Sequence, residues 1–170
     1  IAAGILFSCT SNEKAKNSIE ILPGDGQEEI IKKSSMVVPT KNQYNWQKLE
    51  FIAFLHFGPN TFTGVEWGSG KEDPAVFNPT EFDASQWIST IKAAGMKMAM
   101  LTVKHHDGFC LWQTTTSKHS VKSSPWMQGK GDVLRELVNA AQKEGIKIGL
   151  YLSPADLHEI ERDGGTYGNG

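Results

Sequence analysis

Three nearly continuous apolar runs, at 51–56, 98–103 and 148–152, alternate with two stretches whose apolar residues recur every three or four positions. Such runs are the signature of parallel strands covered on both faces. The periodic stretches predict helices. In the first, Trp87, Ile88, Ile91 and Ala94 share one face; Asp83 is placed to cap it, with Gln86 as a capping-box partner, and Gly95 to end it. In the second, Asp132 precedes Val133, Leu134, Leu137, Val138 and Ala141, and Gly145 supplies the matching stop. Met96, Met98 and Met100 alternate with Lys97 and Ala99, which reads as strand core.

The pattern is an internal repeat. Gly95-Met96-Lys97-Met98-Ala99-Met100-Leu101 aligns with Gly145-Ile146-Lys147-Ile148-Gly149-Leu150-Tyr151 fifty residues on, so the unit is helix, glycine, strand. Strands separated by helices imply an α/β fold of β-α-β units, either a doubly wound sheet or a TIM-type barrel. The period alone leaves both open. Three strands and two helices are less than half of an eight-unit barrel of about 250 residues, so the remainder is expected beyond Gly170 and this segment alone is expected to be poorly stable.

Composition adds exclusions. With 39% hydrophobic and 21% charged residues, the chain can bury a core and is not a disordered tail. A net charge of -2 with scattered Lys and Arg offers no attraction to nucleic acid. The two cysteines, Cys9 and Cys110, form neither a disulfide framework nor zinc-type spacing, and Cys110 reads as a buried structural thiol. No metal or cofactor is implied.

The N-terminus reads as an address. Small and apolar residues run into Leu6-Phe7-Ser8-Cys9 and give way at once to Thr10-Ser11-Asn12-Glu13-Lys14. This resembles a bacterial lipobox, which implies that residues 1–8 are a signal-peptide remnant, that Cys9 is acylated, and that the protein sits in the bacterial cell envelope as a periplasmic or outer-membrane lipoprotein. Seven apolar residues cannot span a bilayer, which needs about 20, so any membrane association is through the anchor at Cys9. Residues 9–43 are rich in Ser, Asn, Lys and Glu and read as a flexible tether leading into an incomplete domain over residues 44–170. A start at Ile1 and a closing Gly164-Gly165-Thr166-Tyr167-Gly168-Asn169-Gly170 make both ends read as cut.

In parallel α/β folds ligands lie at the carboxyl ends of the strands. All three runs end in polar and aromatic residues. The first ends at His56 and leads into a loop holding Glu66 and Trp67; the second runs into Lys104-His105-His106-Asp107-Gly108-Phe109-Cys110-Leu111-Trp112; the third ends in Tyr151-Leu152-Ser153-Pro154-Ala155-Asp156. Imidazoles, an indole face and short polar side chains suit a sugar, whose hydroxyls need donors and acceptors while its C–H patches stack on aromatics. Taken singly, His56 is more simply a core histidine and Trp67 a packing residue; their shared location favours a site. On an extended strand His105 and His106 point to opposite faces, so only one would aim at a given ligand unless a loop or bulge intervenes. Glu159-Ile160-Glu161-Arg162-Asp163 reads as a solvated helix end or loop.

Phe54-Leu55-His56-Phe57-Gly58, Glu66-Trp67-Gly68 and above all Lys104-His105-His106-Asp107-Gly108-Phe109 with Trp112 resemble glycoside hydrolase family 29, the α-L-fucosidases. The likeness runs from about Tyr44 to Tyr167 and takes in Phe77-Asn78-Pro79 and Tyr151-Leu152-Ser153. It implies the N-terminal part of a (β/α)8 TIM-like barrel that binds fucose on fucosylated glycans through His56, His105 and His106. Glu66, Trp67, Trp112 and Tyr151 would complete the substrate-binding set. It also implies a retaining mechanism, with an aspartate nucleophile and a second carboxyl as acid/base about 5–5.5 Å apart. No stretch before Gly170 matches the nucleophile motif, and Asp107 and Asp156 belong to other phrases, so the pair is expected downstream. Two other readings use the same residues: a metal-dependent barrel hydrolase with the three histidines as ligands, and a non-catalytic carbohydrate-binding lipoprotein.

Overall fold

The computed structural model describes residues 16–163 and divides into two compact units, Ile1–Glu50 and Phe51–Gly170. Cys9 and the lipobox-like segment lie outside the described residues. Among those residues no helix is long and apolar enough to cross a membrane.

The first unit holds helices α1 (Gln27–Ser35) and α2 (Lys41–Gln47), where the sequence suggested a flexible tether. Local chemistry accounts for the difference. Glu28 and Glu29 sit in the first turn of α1 and Lys32 and Lys33 in the last, each complementing the helix dipole. A capping box starts α2: Gln43 N–H donates to Thr40 Oγ1 at 3.2 Å, and Thr40 N–H donates to Gln43 Oε1 at 2.7 Å. Asp25 pairs with Lys33 at 2.6 Å. Neither helix has a buried residue.

The second unit is an α/β layer. Strands β1 (Ile52–Leu55), β2 (Met98–Lys104) and β3 (Lys147–Leu152) form a parallel sheet in that order. Between β1 and β2 the chain forms the short helix α3 (Asn60–Thr63) and the helix α4 (Ala84–Ala93), and between β2 and β3 the helix α5 (Val133–Glu144); α6 (Leu157–Asp163) follows β3. The fold class and both principal helices are those expected from the repeat.

The two repeat units end alike. Gly95 and Gly145 take φ of 79° and 71°, the left-handed conformation that costs glycine least. The following amides reach back across the last turn, Met96 N–H to Ile91 O at 3.1 Å and Ile146 N–H to Ala141 O at 3.0 Å. At the starts, Asp83 accepts from Ser85 N–H and Gln86 N–H at 2.8 and 3.0 Å, and Asp132 accepts from Arg135 N–H at 2.8 Å. Gln86 does not complete a capping box; its side-chain amide lies 3.3 Å from Thr90 Oγ1, one turn on.

Ala53, Ala99, Leu101 and Val103 of the strands pack with Ile88 and Ile91 of α4 and Val133, Leu137 and Ala141 of α5. Phe77, Phe109, Val121 and Trp126 extend the same core. Among the described residues the helices pack on the face of the sheet that Ala53, Ala99 and Leu101 present. Phe54, on the other face, is 54% exposed, and Leu150 and Leu152, on β3 at the sheet edge, are 55% and 59% exposed. Gly149 lets the methionines of β2 lean across: a Cβ there would lie 2.5 Å from Met98 Cε and 3.2 Å from Met100 Cε.

Candidate active site

The three strand ends come together. At the end of β1, the buried Thr102 hydroxyl accepts from Phe57 N–H at 3.2 Å and lies 3.3 Å from Leu55 O, pinning the chain on either side of His56 to β2. The loop that follows turns through α3. Its buried Asn60 donates from Nδ2 to Glu66 O at 3.0 Å, which sets the course of Glu66 and Trp67. Gly68 then passes so close to the next strand's loop that a Cβ would lie 2.7 Å from Asp107 Cβ. Only glycine fits between them.

At the end of β2 the register shifts between Thr102 and Lys104, and the chain turns with Gly108 N–H donating to His105 O at 3.0 Å and Gly108 at φ 80°. This break in the extended backbone resolves the geometry that an unbroken strand would forbid. Both imidazoles meet, with ring centroids 4.2 Å apart. His56 packs edge-on against His105 at 4.5 Å, and Trp67 lies 4.7 Å from His106 and 6.5 Å from His105. Tyr151 of β3 stacks on His105 at 6.0 Å. His56, Asn60, Thr61, Val65, Glu66, Trp67 and His105 line a cavity of about 470 Å³.

Of the residues singled out from the sequence, His56, Glu66, Trp67, His105, His106 and Tyr151 therefore share one place. Trp112 does not. It is half-buried and packs against the hydrophobic core, because the chain after Phe109 turns inward and Leu111 N–H bonds Val103 O at 2.9 Å.

Burial holds His105 neutral. Desolvation, reinforced by neighbouring His106 and His56, lowers its pKa to about 4. Its Nδ1 is buried with no hydrogen-bond partner among the described residues. A buried polar atom without a partner carries a desolvation cost.

Apart from Glu66, which lines the cavity, the carboxylates near the imidazoles are committed elsewhere. Asp107 is buried and accepts from Phe109 N–H at 2.7 Å, and burial raises its pKa. Asp156 forms a buried ion pair with Lys104 at 2.9 Å and accepts from Glu159 N–H at 3.1 Å. Glu72 accepts from Ser69 and Gly70 N–H groups, bracing the loop beyond Trp67. Glu159, expected on a solvated helix end, is 8% exposed, because α6 is drawn against the β2 loop by Leu157 N–H donating to His106 O at 2.8 Å.

Sequence reasoning missed a second pair of histidines behind this wall. His119 and His158 stack with centroids 4.4 Å apart and planes 8° from parallel. His158 Nδ1 lies 2.7 Å from Gly70 O, and a carbonyl only accepts, so Nδ1 carries the proton. His119 is buried, its pKa lowered to about 4 by desolvation and then by His158. No local pattern marks either residue; long-range packing alone joins them. Cys110 is buried as expected, with its thiol pushed up to about 11.

The model of the α-L-fucosidase family matches residues 41–164, a span that includes all three strand ends. The chain belongs to the α-L-fucosidase family. Alpha-L-fucosidase 1 of Arabidopsis thaliana is 54% identical over 122 residues, 72% of this chain and 24% of that protein. A Bacteroides ovatus protein of known structure superposes with a TM-score of 0.81 at 57% identity, over 82% of this chain and 24% of its own. A Ruminococcus gnavus family 29 fucosidase, solved with fucose, gives a TM-score of 0.67 at 45% identity, over 72% of this chain and 26% of its own. The chain thus spans about a quarter of the length of these α-L-fucosidase relatives.

Proposed function

We propose that this chain forms the sugar-recognition wall of a retaining α-L-fucosidase, which hydrolyses terminal α-L-fucose from glycans within a (β/α)8 barrel of which β1 to β3 are the opening strands. The observation that carries the reading is the convergence of His56, His105 and His106 beside the exposed face of Trp67. Neutral imidazoles offer fucose hydroxyls one donor and one acceptor each, and the indole face takes the sugar's C–H and methyl patch. The low pKa of His105 keeps that ring neutral at working pH. Glu66 and Tyr151 flank the same imidazoles.

The reaction needs two carboxyl groups in different protonation states. The nucleophile attacks the anomeric carbon as the acid protonates the departing oxygen, and water then releases fucose from the glycosyl-enzyme. Asp107 and Asp156 are bound into the scaffold by Phe109 N–H and Lys104, so neither is assigned to the pair, and no stretch of the sequence matches the nucleophile motif. The envelope location and the lipid anchor at Cys9 belong to the same proposal, supported by the apolar run that ends at Leu6-Phe7-Ser8-Cys9.

The test is release of nitrophenol from an aryl α-L-fucoside by the full-length protein, with and without chelator. Chelator-insensitive turnover is expected. Turnover abolished by chelator would transfer the histidines to a metal site, and fucose binding without turnover would leave a carbohydrate-binding lipoprotein. Cys9→Ala is expected to move the protein from the membrane fraction to the soluble one.

A further inference from the structure

We propose that Ser153 is a positioning residue that sets the tautomer of His106, so that the neutral ring carries its proton on Nδ1 and offers Nε2 to the sugar as a hydrogen-bond acceptor. The inference rests on the sugar-binding reading of the site. Its basis is a count of protons. The Ser153 hydroxyl lies 2.6 Å from His106 Nδ1 and 2.8 Å from Ala155 O. It has one proton to give. The Ala155 carbonyl can only accept, so both contacts are hydrogen bonds only when the hydroxyl donates to Ala155 and Nδ1–H donates to the hydroxyl.

The reverse assignment sets the lone pairs of Ser153 Oγ and Ala155 O against each other at 2.8 Å, in a place where Ser153 is 1% exposed. Water cannot relieve that contact. Losing a buried hydrogen bond shifts the tautomer ratio by about tenfold or more, enough to reverse the Nε2–H preference of histidine in water.

The geometry around the pair is fixed from both sides. Ser153 N–H donates to Lys104 O at 3.0 Å, and Leu157 N–H donates to His106 O at 2.8 Å, so neither residue can slide along its chain. Trp67 packs against the His106 ring. Nε2 has no hydrogen bond to any described residue, and the ring is half-buried rather than closed off. An acceptor at this point selects for a sugar hydroxyl that donates. Once that hydroxyl has given its proton to Nε2, its oxygen is left to accept from other groups.

The decisive measurement is the nitrogen NMR spectrum of the full-length protein with 15N-labelled histidine, with His106 assigned by His106→Gln. It requires no sugar. A protonated Nδ1 and an unprotonated Nε2 in the wild type are expected, and a wild-type ring protonated on Nε2 would overturn the assignment. In Ser153→Ala the signals are expected to move toward the Nε2–H form. Fucose affinity measured by calorimetry is expected to fall about tenfold and to recover in Ser153→Thr, which keeps the hydroxyl. Ser153→Ala with both the tautomer and the affinity of the wild type would also overturn the proposal. A wild type that shows the Nδ1–H form yet binds no fucose would sink the sugar reading and leave the Ser153 assignment standing.

Discussion

Removing the Asp156 carboxylate is expected to be among the costliest single changes in this chain, because Asp156 is tied into the scaffold. Lys104 closes β2 and Asp156 precedes α6; each residue is 4% exposed, and the ion pair between them spans 2.9 Å. In Asp156→Ala the Lys104 ammonium is left inside without its counterion. Breaking a buried pair by removing one partner costs about 3–5 kcal/mol, because the remaining charge has lost its water and gained nothing. Asp156 also accepts from Glu159 N–H at 3.1 Å, a cap-like bond whose loss acts in the same direction. Lys104→Met with Asp156→Leu removes both charges and is expected to be less damaging than Asp156→Ala alone, since apolar replacement of a whole buried pair is often neutral. Urea unfolding followed by fluorescence gives the three free energies. A loss below about 1 kcal/mol in Asp156→Ala, or a double variant as unstable as Asp156→Ala, would refute the reasoning.

Two further outcomes follow from the same geometry. The pKa of buried His119 is lowered from 6.5 to about 4, so between those values the unfolded chain binds the extra proton and the folded chain does not. Stability is therefore complete above about pH 6.5 and lost as pH falls toward 4, by on the order of 3 kcal/mol for this group; unfolding midpoints taken across that range should show the slope, and His119→Phe should reduce it, leaving the share of His105. Trp67 is 62% exposed, so Trp67→Ala is expected to leave the melting temperature nearly unchanged while weakening fucose binding about tenfold through the lost stacking surface. A large drop in melting temperature would mean that the indole is a packing residue after all.

Much of this was legible in the sequence, for identifiable reasons. The helix-glycine-strand unit is encoded locally: Asp83 and Asp132 start helices with their own side chains, and Gly95 and Gly145 end them by adopting a left-handed conformation. Strand ends concentrate function in parallel folds, so His56, Trp67, His105, His106 and Tyr151 could be read as one site. The fates of Trp112 and Glu159 could not. Each depends on which way a loop turns after its strand, and that is decided by partners far away in sequence, such as the bond from Leu157 N–H to His106 O. The convergence of His105 and His106 likewise depends on a register shift that no spacing rule encodes. The helices of residues 27–47 were missed because composition was weighed over the whole tether, whereas the capping box at Thr40 and the charge order in α1 act over a single turn.

The arrangement separates two kinds of polar chemistry by depth. Around the cavity the imidazoles of His56, His105 and His106 are grouped with Glu66 on the lining, and the burial that lowers the pKa of His105 costs stability only at pH values near or below its ordinary titration. Beneath them the charged groups are paired or hydrogen-bonded: Lys104 with Asp156, Asp107 with Phe109 N–H, Glu72 with Ser69 and Gly70. Were Asp107 or Asp156 turned outward onto the imidazoles, a carboxylate at short range would raise their pKa values and favour imidazolium. A charged imidazole has two donors and no acceptor, so the site would lose the lone pair that a donating sugar hydroxyl requires. Holding the acids in the scaffold therefore does more than steady the loops. It keeps an imidazolium-favouring carboxylate away from His105, whose pKa burial lowers to about 4.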